Sequence, residues 1–114
     1  MPLIKLETSA DLSPEQKDQL LADLSKTVST VTGKPETYVM ATVQHSDISM
    51  GGTTEPAAFA DVRGIGGLDP TTNKNLSEAI CSLLADSLGI AGDKVYITFT
   101  DIPGSNWGWN SGTF

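Results

Sequence analysis

The 114-residue sequence has one cysteine, one histidine and one arginine, and each scarcity closes a chemical route. A lone Cys81 forms neither an intramolecular disulfide nor a cysteine-cluster metal site, and its place beside Ile80 in a helical pattern suits packing. His45 is followed by Ser46 and Asp47, but catalytic triads assemble across a fold rather than along three consecutive residues; a loop at a strand end is the expected setting. Seven lysines and arginines against 14 aspartates and glutamates leave a net charge of −7, and the basic residues form no run. Nucleic-acid binding rests on neutralising phosphates and is not expected, so any anion site must be a local exception to the acidic surface. Apolar runs are too short to span a bilayer. The amino terminus shows no basic, then apolar, leader pattern, so the expected location is the cytoplasm, with no membrane partner. No metal or cofactor is indicated, and no residue pattern points to a receptor.

Hydrophobic content of 39% and charged content of 18% fit one domain over residues 1–114. A chain of this length buries about two-thirds of the surface it exposes when unfolded. The chain resembles itself at an offset of 56 residues. Leu12-Ser13-Pro14 matches Leu68-Asp69-Pro70, Leu20 matches Leu76, Leu24 matches Ile80, Val28 matches Leu84, and Gly33 matches Gly89. Ser13 and Asp69 are preferred N-caps, and Pro14 and Pro70 stand where a first-turn proline loses no hydrogen bond. Apolar residues recur between them at helical spacing, and the glycines suit a left-handed cap. Two helices are predicted, at about 14–32 and 70–88.

Each helix lies between strand-like segments, at 2–7 and 37–44 for the first and at 58–63 and 94–100 for the second. Val39, Ala41 and Val43 alternate with Tyr38, Met40 and Thr42, and Val95, Ile97 and Phe99 alternate with Tyr96, Thr98 and Thr100. Such alternation suits a sheet with one covered face. The fold class is therefore α+β: two β-α-β units joined through Gly51-Gly52, forming a four-stranded sheet with both helices on one face. The opposite face, carrying Tyr38, Met40 and Tyr96, is too apolar for full exposure, and free edges are a hazard. An oligomer is expected, with the tail Asn106–Phe114 as a short hairpin reaching a neighbour. That tail holds both tryptophans, a large aromatic area for a loose end.

Pro2 opens the first strand directly behind Met1. A small second residue allows the methionine to be removed, which leaves a proline with a free secondary amine. Such an amine is a tunable base that needs no histidine, serine or metal. Other motifs carry less. Gly64-Ile65-Gly66-Gly67 lacks the spacing of a phosphate loop and fits a tight strand-to-helix connection. Asn75-Leu76-Ser77 is a formal glycosylation sequon inside a helix, and the carboxylates are scattered.

With Pro2 at a strand start, the β-α-β duplication, Gly33-Lys34-Pro35, Ile65-Gly66-Gly67, Val95-Tyr96-Ile97 and Gly108-Trp109-Asn110 with Thr113-Phe114, the chain resembles the macrophage migration inhibitory factor family of the tautomerase superfamily. The resemblance runs from Pro2 to Phe114. It implies a homotrimer with active sites at subunit interfaces and a tail that adds to a neighbouring subunit. It also implies keto–enol tautomerisation of phenylpyruvate-like 2-oxo acids, with Pro2 as general base. An α-amine near its reference value is only about one-tenth free base at pH 7, and lowering it by about one unit raises that to about half; apolar burial and a nearby cation both act that way. Lys34 is implied as that cation and as the partner of the substrate carboxylate. By the same resemblance Val62 offers a backbone amide, Tyr96 and Thr98 line the site, and Trp107, Trp109 and Phe114 form aromatic walls. Thr98 and Trp107 depart from the asparagine and valine of vertebrate members, which bears on substrate preference. Ala57 and Ala60 replace a Cys-x-x-Cys pair, which excludes thiol redox activity of that type. The alternative implied by cytokine members is a signalling or binding protein with an incidental pocket.

Overall fold

A computed structural model describes all 114 residues. Six strands and two long helices follow in the order β1 (Leu3–Thr8), α1 (Pro14–Thr32), β2 (Met40–His45), β3 (Ala58–Gly64), α2 (Pro70–Leu88), β4 (Val95–Asp101), β5 (Gly108–Trp109) and β6 (Gly112–Thr113). The main sheet runs β2-β1-β3-β4. Its outer pairs, β1 with β2 and β3 with β4, are parallel, while the central pair β1 with β3 is antiparallel. Each β-α-β unit thus keeps its own parallel pair, and the units meet at the centre of the sheet.

Both helices start and stop where their local chemistry dictates. Ser13 accepts from the Gln16 amide while the Gln16 side chain accepts from the Ser13 amide, a reciprocal capping box. Asp69 accepts from the Thr72 amide, a bond that holds its carboxyl below the usual carboxylate range. Gly33 (φ 72°) and Gly89 (φ 67°) end the helices in the left-handed region, which costs glycine nothing.

Leu20, Leu24 and Val28 of α1 and Leu76, Ile80 and Leu84 of α2 meet Ile4, Leu6, Ala58, Ala60 and Val62 of the sheet in one buried core. Burying each large side chain contributes about 1.5–3 kcal/mol, so the matched positions of the repeat supply much of the stability. The opposite face of the sheet stays open, with Met40 and Tyr96 about two-thirds exposed. No helix is long and apolar enough to cross a membrane.

One expectation is corrected. The strand expected at 37–44 begins only at Met40, because Glu36–Tyr38 form a 3-10 turn after Pro35. Tyr38 consequently leaves the open face and packs edge-on against Trp109, with ring centroids 5.9 Å apart. The tail is a hairpin as expected, and within the protomer it packs on Tyr38 of its own chain. Asn110 (φ 49°) and Ser111 (φ 69°) are both left-handed, the signature of a tight two-residue turn between paired strands. The Phe114 amide donates to the carbonyls of Gly104 and Trp107, and the Phe114 ring stacks on Trp109 at 5.4 Å.

Candidate active site

Pro2 is buried at the entrance to β1, where its carbonyl accepts from the Met40 amide at 3.1 Å. It adjoins a cavity of about 400 Å3 whose walls include Met1, Tyr38, Val39, Met40, Trp107, Trp109 and Phe114. The walls come from three places: the start of β1, the turn leading into β2, and the tail hairpin. The tail is held there because the stacked pair Trp109–Phe114 rests on Tyr38. The result is an apolar recess suited to an aryl or alkyl group, with the chain's amino terminus at its edge.

In the sequence as it stands that terminus is the Met1 amine. Burial, and then the charge of Lys34, lower its basicity from the usual α-amine value. The nitrogen of Pro2 remains a tertiary amide, without basicity, until Met1 is removed.

Lys34 follows the cap of α1 and is not among the residues that line the cavity, though its charge reaches the Met1 amine at the cavity edge. The Ser29 hydroxyl donates to its carbonyl at 2.7 Å, and its amide donates to Thr32 Oγ1 at 3.3 Å. Its Nζ donates to the carbonyls of Ile65 and Gly66 at 2.7 and 2.8 Å. An ammonium has three N–H donors, so one remains for an anion. Gly67 (φ 81°) gives the lysine room, since a Cβ there would stand 3.4 Å from Lys34 Cε. Burial lowers the lysine's basicity, and Asp101 works in the opposite direction.

Three of the expected site residues lie elsewhere in the protomer. Val62 is completely buried in the helix-facing core, and its strand is paired on both sides. The nearby residues that do reach the lysine are Ile65 and Gly66, through their carbonyls. Tyr96 and Thr98 sit on the open face of β4, in register with Phe59 and Asp61 of β3, which face Glu7 and Lys5 of β1. Tyr96 is thus two strands away from Pro2 and near the opposite end of the sheet. The residues that sequence reasoning missed are Ile65, Gly66 and Asp101. The glycine-rich loop was visible as a tight connection, but nothing local ties it to a lysine 31 residues earlier or an aspartate 35 residues later.

Comparison with known proteins settles the family. The family model for macrophage migration inhibitory factor (MIF) matches residues 1–114. The chain belongs to the macrophage migration inhibitory factor family. It is 32% identical over 115 residues to the macrophage migration inhibitory factor of Rattus norvegicus, taking in all of this chain and 99% of that protein. The crystal structure of the MIF-like protein of Entamoeba histolytica superposes with a TM-score of 0.95 at 35% identity, over 99% of this chain and 98% of that one. The homologue from Prochlorococcus marinus superposes at 0.93 with 37% identity, over 98% of each chain. The MIF family falls within the tautomerase superfamily, which includes isomerases, and the homotrimer is typical of its members.

Proposed function

We propose that the protein is a keto–enol tautomerase of phenylpyruvate-like 2-oxo acids, with Pro2, freed by removal of Met1, as its general base. The observation that carries this reading is the buried Pro2 beside an aromatic recess, at a place where burial and Lys34 both lower the basicity of the adjoining Met1 amine. In the direction of the ketone, the free amine takes the enol O–H proton and the C=O bond forms. The electron pair of the C=C bond then takes the same proton back from the ammonium at the adjacent carbon. One proton moves and nothing is oxidised, so neither metal nor cofactor is called for. The remaining Lys34 N–H holds the substrate carboxylate, while Tyr38, Trp109 and Phe114 receive the aryl group. In a homotrimer, Tyr96 and Thr98 of a neighbouring subunit complete the recess, and Trp107 narrows its mouth. Val62 acts only through the core.

The test pairs intact mass with a phenylpyruvate enol–keto assay on the same preparation. Pro2→Gly, with Met1 removed from both proteins, is expected to lower kcat/KM by about 10²–10⁴ with unchanged circular dichroism. A processed wild type with no turnover above buffer overturns the reading for this substrate. A second reading, a signalling or binding protein, is favoured by the names of the relatives. It predicts that Pro2→Gly leaves affinity for a protein partner unchanged.

A further inference from the structure

The cation beside the amine is held by a loop, and the loop is held by a side chain outside the aromatic recess. Asp101, the last residue of β4, accepts the Gly66 amide at its Oδ1 at 2.7 Å. The neighbouring Ile102 amide donates to the Gly64 carbonyl at 2.8 Å, so the segment 64–66 is pinned to the end of β4 at two points. Within that segment the Ile65 and Gly66 carbonyls converge on Lys34 Nζ. The chain of contacts therefore runs from Asp101 through Gly66 to Lys34, and from Lys34 by its charge to the amino terminus.

The geometry points to Asp101 as a positioning residue for the proposed reaction: by anchoring the Gly66 amide it aims two carbonyls at Lys34 Nζ and fixes where that cation stands. This rests on the tautomerase reading for its catalytic consequence, though the contacts themselves do not. Two devices act together. The hydrogen bond orders the loop, and the carboxylate opposes the burial that lowers the lysine's basicity, keeping the lysine charged to higher pH. The charged groups facing Lys34 are Asp101 from β4 and the amino terminus from β1. Glu36, just beyond the helix, is occupied with the Ser25 hydroxyl, and Arg63 is bound to Asp61 on the open face.

Two variants separate the devices. Asp101→Asn keeps an oxygen that can accept the Gly66 amide but removes the charge. The Lys34 titration, followed by NMR of its Cε, is expected to move to lower pH, and the basic limb of kcat/KM with it, while KM at neutral pH stays within about twofold. Asp101→Ala removes the anchor as well, and KM for phenylpyruvate enol is expected to rise roughly tenfold, the scale of one charge-assisted hydrogen bond. An unmoved Lys34 titration in Asp101→Asn, together with unchanged KM in Asp101→Ala, overturns the assignment. The NMR titration does not depend on turnover. An inactive wild type whose Lys34 titration still shifts in Asp101→Asn refutes the tautomerase reading for phenylpyruvate and supports the role of Asp101.

Discussion

At an offset of 56 residues, Leu20, Leu24 and Val28 of α1 stand where α2 has Leu76, Ile80 and Leu84, and all six are buried. The same offset carries Lys34 onto Ile90 and Pro2 onto Ala58, and there the halves part. Both helices end at a left-handed glycine, but the Ile90 amide turns back to the Leu84 carbonyl and its side chain is almost completely buried. The Gly89 amide closes on the Ala85 carbonyl, a left-handed helix end with a hydrophobic residue just beyond it. In the first half the Gly33 amide closes in the same way on Ser29, but the next residue is released to carry an ammonium across to a loop. The scaffold needs both halves to bury the same stripe of apolar residues. The chemistry needs only one half to depart from it, at the helix exit and at the strand entrance.

That contrast can be tested at its matched positions. The largest expected effect is on stability in the second half: Ile90→Ala should cost about 2–5 kcal/mol in urea unfolding at fixed protein concentration, since it leaves a cavity in a shared core. Lys34→Ala should leave the unfolding midpoint nearly in place and act on activity instead. Loss of a charged hydrogen bond to substrate, worth roughly 1.5–3 kcal/mol, corresponds to a rise in KM of about 10–100-fold for phenylpyruvate enol. The sign of its pH effect follows from the geometry. Lys34 lowers the basicity of the Met1 amine, and a freed Pro2 amine one residue on should feel the same charge, so removing the lysine should raise that amine's basicity and move the acid limb of kcat/KM to higher pH. If the acid limb stays put, the amine does not feel the lysine and the contrast between the halves is only one of packing. The smallest effect concerns what the halves share. Ser13→Ala breaks the capping box of α1 and should cost about 1 kcal/mol, seen as a lower midpoint with unchanged KM.

The tail and the open sheet show where sequence reasoning reached its limit. Alternation at 37–44 was real, yet Tyr38 belongs to a turn. Alternation records a period of side chains and does not mark where the backbone begins to pair; Pro35 and the 3-10 turn delay the strand to Met40. Trp109 and Phe114 stood out as too much aromatic area for a loose end; they stack on each other and Trp109 meets Tyr38, yet both remain exposed in the protomer. Met40 and Tyr96 on the open face are about two-thirds exposed in one protomer, on the face whose apolar character led to the expectation of an oligomer.

Local rules act over a few residues, and what depends on them was legible in the chain itself. Caps at Ser13 and Asp69, first-turn prolines, left-handed glycines and the period of buried residues determined two β-α-β units and the side of each helix that faces the sheet. The amine at Pro2 and the cation at Lys34 were visible as residue types in a family pattern. Their surroundings were not. That Val62 points into the core while Ile65 turns toward the lysine, and that Asp101 secures the loop between them, depends on contacts spanning 31 and 35 residues. Such contacts leave no period or spacing in the sequence, because they exist only once the sheet order β2-β1-β3-β4 has brought the end of β4 beside the loop that leaves β3.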